Sequence, residues 1–400
     1  MPQYKDTKPC KTNSVFDHFD IRKVEGRLIM QKEQISNKEA ICILISFVIG
    51  STLIIGIGGD AKNDAWISGI LSVIMFIPML LIYSRILMLF HGKHLFDILE
   101  IIFGKLFGKI ISIIYVWYAF HLGALVIRNF GEFINIVAIP ETPMYAPMFC
   151  LALICIIGVR LGIEVLGRFT TYFVPIVFFI LGSVLILGLS QYHMNYIKPV
   201  LGNGIAPVLK GGFAAFSFPF AETVLFIGIF SSLKTKKSPR TVYLWGILIP
   251  AAIIITFTIR NISVLGNMLG SFYIPSYEAV SRITVGDFIQ RIEVTVSIVY
   301  VFTTFIKVSV CLLVTCKGIG KIFNLKDYRS IVIQTGLLMF FLSYIIYDNI
   351  MEMKFWAFKV YPYYAFPMQV ILPIIIWIAA EVKTKKGKKS GEKSNASLEN

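Results

Sequence analysis

Apolar residues run along this chain in long unbroken stretches, parted by short segments rich in Lys, Arg, Asn, Gly and Pro. A helix needs roughly 20 mainly apolar residues to cross the hydrocarbon core of a bilayer. Ten such stretches occur, at 40–59, 65–90, 108–138, 144–159, 167–189, 206–230, 241–262, 288–315, 330–347 and 363–380. Only helices and closed barrels satisfy every backbone polar group in lipid, and barrel strands would show alternation instead of continuous runs. The pattern therefore predicts an all-α integral membrane protein with ten transmembrane helices. It divides the chain into a cytoplasmic segment 1–38, a membrane domain 39–381 and a basic tail 382–400. The tail is rich in Lys, Ser, Gly and Asn and has no apolar periodicity, so it is expected to be disordered.

Composition agrees. Charged residues make up 15% of the chain, against roughly a quarter in soluble domains, and hydrophobic residues 56%. The first apolar run begins behind a polar, charged stretch, which predicts no cleaved secretory leader. Lys and Arg concentrate in short cytoplasmic loops. With both termini inside, the inner segments collect the basic N-terminal residues, Arg85, Lys93, Lys105, Lys109, Arg160, Arg168, residues 234–240, Lys317, Lys321, Lys326, Arg329 and the tail. The outer side keeps mainly Lys62, Lys198, Arg260, Arg282, Lys354 and Lys359. The net charge of +15 is thus mostly topological. It is scattered over several loops without interleaved aromatics, which argues against nucleic acid and for anionic lipid headgroups as its partner.

The six cysteines, Cys10, Cys42, Cys150, Cys155, Cys311 and Cys316, lack metal-site spacing and read as small apolar fillers. No phosphate-cradling loop, His/Cys cluster or Ser/His/Asp set stands out, so neither enzyme activity nor a metal or cofactor is expected.

Helices one and six are each interrupted in mid-span. In helix one, Gly50-Ser51-Thr52 precedes Gly56, Gly58 and Gly59, and each interior glycine weakens a helix by about 1 kcal/mol relative to alanine. In helix six, Gly211 and Gly212 lead to Phe216-Ser217-Phe218-Pro219-Phe220, where Pro219 withdraws a backbone donor. These helices begin two five-helix halves and cross in opposite directions, which predicts an inverted repeat with discontinuous helices around a central site. Such breaks expose backbone donors and acceptors that suit the carboxylate and ammonium of an amino acid. Against this stands the general abundance of Gly and Pro in membrane helices.

Several motifs in order carry a family resemblance: Ile35-Ser36, Asp64-Ala65-Trp66-Ile67-Ser68, Arg128-Asn129-Phe130-Gly131-Glu132-Phe133 and Thr142-Pro143. They continue with Gly162-Ile163-Glu164, Gly167-Arg168 and Phe218-Pro219-Phe220-Ala221-Glu222. From about residue 35 to 382 the chain resembles the B-subunit family of endospore germinant receptors, the spore germination permeases of the amino acid/polyamine/organocation transporter superfamily. Ala221 stands where that family usually has glycine, and Gly50-Ser51-Thr52 replaces its usual turn in helix one.

The resemblance implies a LeuT-like 5+5 fold and a subunit of the spore inner membrane that senses a small nutrient, such as an amino acid, and triggers germination. It implies partner A and C subunits, the B subunit being the one that binds the germinant. A proton-coupled amino-acid permease and a scaffold that binds nothing are the competing readings.

Ionisable groups inside a bilayer are functional candidates by default. Arg128 and Glu132 lie four apart on helix three and can pair, either structurally or as an outer gate. His121 and Tyr118 lie deeper on the same helix, and His121 is either a structural histidine or a switch. Glu222 follows the helix-six break, where it can meet an ammonium, a proton or a structural partner. Lys307 follows Thr303 and Thr304 in helix eight, too deep for easy snorkelling. In sodium-coupled members of the superfamily, helix-eight hydroxyls and helix one hold the cation, so Lys307 is expected to supply a fixed charge there. Glu164, between Arg160 and Arg168, reads as part of a loop charge cluster. The candidate ligand-binding set is Gly50, Ser51, Thr52, Tyr118, His121, Phe216, Ser217, Phe218, Glu222, Thr303 and Thr304, with Arg128, Glu132 and Lys307 as gating or ion-pair residues.

Overall fold

The chain enters its first helix through a reciprocal cap. The Ser36 side chain accepts from the Glu39 amide, while the Ser36 amide donates to Glu39 Oε2 at 2.7 Å, so two otherwise orphaned donors are satisfied. The computed structural model describes residues 33–233, 235, 237–283 and 292–396. Almost all of the N-terminal segment 1–38 lies outside the described residues. Among those described, nine helices are long and apolar enough to span a membrane and a tenth apolar helix is shorter. They are α1 (Asn37–Ile55), α2 (Gly59–Leu89), α3 (Leu95–Val137), α4 (Tyr145–Leu161), α5 (Ile163–Leu187), α6 (Ile205–Gly228), α7 (Ser238–Ser271), α8 (Glu293–Ile322), α9 (Tyr328–Ile345) and α10 (Ile350–Lys385). They correspond one for one to the ten expected apolar runs.

The boundaries differ where local chemistry overrides hydropathy. Helix three was expected from residue 108; the helical segment Leu95–Val137 is two helices that meet at Gly104, whose φ of +79 and ψ of −179 are not helical, a conformation open to glycine, so the spanning helix starts just beyond it, close to the expected position. Helix eight, expected over 288–315, is described from Glu293 to Ile322, positions 288–291 lying outside the described residues, and Lys307 stands in the middle of that described helix. Helix ten, expected over 363–380, begins at Ile350. Two π turns, Trp356–Val360 and Pro367–Ile371, carry it past Pro362 and Pro367, since a wider turn tolerates a missing donor that would end an α-helix. That last helix continues to Ala396, through most of the basic stretch expected to be disordered.

Burial sorts the helices into an inside and an outside. In the most apolar window of α1, α6 and α8, 78%, 83% and 78% of residues are buried, against 28% in α5 and α9. The first three are therefore enclosed by protein, and the outer helices present side chains such as Phe179, Ile186 and Leu338 to the lipid. Both interrupted helices belong to the enclosed set. α1 breaks between Ile49 and Thr52, and α6 passes through a π turn at Phe216–Phe220, within which Phe218 leaves helical geometry (φ −126, ψ 111).

The ends of the bundle are held by ion pairs. At one end Lys321 bridges Asp97 (2.9 Å) and Glu100 (2.8 Å), and Arg85 meets Glu381 at 2.6 Å. At the other, Lys359 meets Asp60 at 2.7 Å. Glu164 pairs with Arg168 at 3.5 Å and also accepts from the Gln34 amide, which fastens this loop to the chain entering α1.

His94 caps α3: its Nδ1 accepts from the Asp97 amide, and its Nε2 lies 3.2 Å from Asp97 Oδ2. Burial, opposed by Asp97 and assisted by Lys317, Lys321 and Lys93, lowers its pKa to about 4. The neutral ring serves both contacts. The unfolded chain takes up a proton near pH 6.5, so it binds more protons than the folded chain between there and pH 4, and stability falls as pH drops through that window. We expect His94→Gln to flatten the pH dependence of detergent-solubilised melting between pH 6.5 and 4; an unchanged slope would refute the assignment.

Candidate functional site

The break in α6 puts a carboxylate at the centre of the bundle. Glu222 is fully buried just beyond the non-helical Phe218, and Lys307 of α8 reaches it with Nζ 2.6 Å from Oε2. A buried ion cannot remain alone: the effective cost of desolvating it is several kcal/mol. Tyr361 of α10 donates to the other oxygen, Glu222 Oε1, at 2.6 Å. Lys307 is also bracketed by aromatic faces, its Nζ lying 4.6 Å from the Phe218 ring centroid and 5.1 Å from that of Phe47. Its stem passes the break in α1, where a Cβ added to Gly50 would lie 3.0 Å from Lys307 Cδ. Glycine at position 50 is thus what lets the cation pass.

From Tyr361 a hydrogen-bonded network leads through three helices. The hydroxyls of Tyr361 and Tyr118 are 3.0 Å apart, Gln369 Nε2 donates to Tyr118 at 2.8 Å and to the Ser217 carbonyl at 2.9 Å, and Ser217 Oγ donates to Gln369 Oε1 at 2.9 Å. The carbonyl left over at the α6 break is satisfied by a side chain from α10, as an interrupted membrane helix requires. Gln369 saturates both ends of its amide here.

A narrow cavity opens on the other side of Glu222. Its walls are Ile55 of α1, Leu122, Leu125, Val126 and Asn129 of α3, Phe218 and Glu222 of α6, and Tyr347, Met353, Trp356, Ala357, Phe358 and Tyr361 at the start of α10 or just before it. It is apolar apart from Asn129, Glu222 and the two tyrosine hydroxyls, the common composition of a small-molecule site. Ile55 and Phe358 also line a wider vestibule towards the end of the bundle that carries Lys62 and Lys354. These two side chains form the partition between vestibule and cavity.

The structure brings together some of the residues expected from sequence and disperses others. Glu222, Lys307, Phe218, Tyr118, Ser217 and Gly50 converge. Ser51 and Thr304 lie beside the Tyr300 hydroxyl, behind the α1 break. The Thr52 and Thr303 hydroxyls turn back to their own helices, onto Val48 O and Val299 O. Phe216 packs with Phe76 and Phe213. His121 stacks on Trp117 and meets Trp356 and Tyr364 edge-on, away from the cavity. Arg128 pairs with Glu132 at 2.9 Å and donates to the Tyr344 carbonyl, which joins α3 to the end of α9.

Sequence reasoning missed Tyr361 and the aromatic start of α10, because the expected helix began after them, and it passed over Gln369 inside that helix. A glutamine in the middle of a 363–380 apolar run was the available signal. Leu122, Val126 and Asn129 lie one turn apart on α3, a face invisible until the partner of that face is known.

Comparison with known proteins agrees with this architecture. The chain is 30% identical over 366 residues to spore germination protein KB of Bacillus subtilis, covering 90% of this chain and 98% of that one. It is 24% identical to the putative spore germination protein YfkT of the same organism, over 83% of this chain and 91% of the relative. Among solved structures, MhsT in complex with L-phenylalanine has the same LeuT-like fold, with a TM-score of 0.62, 12% identity and coverage of 88% of this chain and 97% of that one. The profile described as spore germination protein matches residues 34–351. The chain is an integral membrane protein of the spore germination protein family.

Proposed function

We propose that this chain is the nutrient-binding B subunit of an endospore germinant receptor, and that its ligand is an amino acid with an apolar side chain. The observation that carries the reading is the apolar cavity that ends on Glu222, between the breaks of α1 and α6. Phe218 and Glu222 touch the ligand directly in this reading. Tyr118 and Ser217 act through Tyr361 and Gln369, and the α1 break at Gly50, Ser51 and Thr52 supplies backbone groups.

The walls formed by Leu122, Leu125, Val126 and Trp356 suit an aliphatic or aromatic side chain, and a neighbour in fold was solved with L-phenylalanine. The Glu222–Lys307 pair is neutral in sum, so the matching ligand is neutral in sum too, as a zwitterion is. The receptor sits in the spore inner membrane with both termini cytoplasmic, and it hands its ligand-favoured packing to A and C subunits. A ligand shifts such an equilibrium only by its differential affinity for the two packings.

A proton-coupled permease uses the same cavity, with Glu222 as proton carrier. The two readings separate in vesicles containing the purified full chain. We expect a labelled apolar amino acid to bind with equal affinity in sodium and in potassium buffers, because Lys307 supplies the cation, and not to accumulate inside. Accumulation driven by a pH gradient would assign the permease. Absence of binding to any amino acid, with the chain folded, would remove both. Sodium-dependent affinity would sink the role given to Lys307.

A further inference from the structure

A third opening lies on the flank of the bundle between the first turns of α6 and the start of α10. Its floor and walls are Leu209, Phe213, Pro362 and Tyr363, and its rim carries Lys210, Lys359 and one carboxylate, Asp60. Leu209 and Tyr363 are 51% and 70% exposed, Leu209 in the first turns of an otherwise enclosed helix. Lys359 is held by Asp60 at 2.7 Å, whereas Lys210 has no carboxylate partner among the described residues. Lys210 stands five residues into α6, about 8 Å along its axis, a depth from which a lysine reaches the headgroup layer. The rim therefore has a net positive charge beside an apolar trough open to the bilayer.

We propose that this groove binds an anionic phospholipid, with the phosphate between Lys210 and Lys359 and an acyl chain along Leu209, Phe213 and Tyr363. A soluble anion would satisfy the lysines and leave the trough bare; a neutral lipid would fill the trough and leave Lys210 without a counter-charge. Phe358 lines this groove as well as the cavity and the vestibule, so a bound lipid presses on the same ring that partitions them. It also offers Lys359 an anion in place of Asp60. The lipid is thus placed to bias the outer end of α10, independently of what the central cavity binds.

The test uses the full chain in phosphatidylcholine nanodiscs with and without phosphatidylglycerol, read by lipid affinity and by hydrogen exchange over 205–214 and 350–363. Phosphatidylglycerol should slow exchange in both segments. Lys210→Gln, an exposed change that breaks no ion pair, should weaken phosphatidylglycerol binding about fivefold, the contribution of one lysine near an anionic surface. Lys198→Gln, in the neighbouring loop, should leave it intact. Equal loss in both variants would mean diffuse surface charge, and an unchanged Lys210→Gln would mean no site; either overturns the proposal. So would glycerol phosphate in plain phosphatidylcholine discs, if it reproduced the protection.

Discussion

Replacing Lys307 with methionine should lower the unfolding free energy of the protein by about 3–5 kcal/mol, the range for stripping one partner from a buried ion pair. The carboxylate of Glu222 would then stay fully buried, left to the Tyr361 hydroxyl for polar support. Combining Lys307→Met with Glu222→Gln should recover most of that loss. The amide introduced at position 222 is neutral and its oxygen can still accept from Tyr361, while methionine fills the space between Phe47 and Phe218 that the lysine stem vacates. Melting in detergent reads both variants. If the double variant is as unstable as the sum of the single ones, the two residues are not a coupled pair. The variants also separate stability from ligand chemistry: a stable double variant without nutrient binding would assign the charges to recognition.

The second large effect is expected at Ala357. It lies half-buried on the cavity wall in the first π turn of α10. An indole there would occupy the space between the cavity walls of α3, α6 and α10. Ala357→Trp should weaken nutrient binding at least about 100-fold, or ~2.7 kcal/mol, while the ligand-free protein still melts in one cooperative transition. Equilibrium binding to the purified protein checks the first and a melt without ligand checks the second. Retained affinity would mean that the nutrient sits elsewhere, the outer vestibule being the next place to look.

Hydropathy made the ten crossings and the two interrupted helices legible, since lipid demands long apolar runs and glycine and proline advertise where a run fails. Lys307 and Glu222 were also legible as anomalies: each is a charge in an apolar stretch. That they face each other was not, because a helix sequence carries the angular position of a residue but not the identity of the helix opposite. The same blindness applied to His121. Its titration range made it conspicuous in sequence, yet its ring faces an aromatic cage of Trp117, Trp356 and Tyr364. Tyr361 and Gln369 were hidden for another reason. Tyr361 falls just outside the expected 363–380 run and Gln369 inside it with no visible partner, and the π turns that extend the helix leave no mark on an apolar pattern.

Those π turns have an evolutionary reading. Each contains one residue more than an α turn would need, and a residue gained in a plain helix rotates everything beyond it by about 100°. A bulge confines that rotation to itself. A relative one residue shorter between Trp356 and Val360 would therefore keep its equivalents of Tyr361 and Gln369 aimed at the same partners, while dealing a different side chain into the place of Phe358. Length, rather than substitution, becomes a way to diversify the mouth of the cavity while its charged floor stays the same.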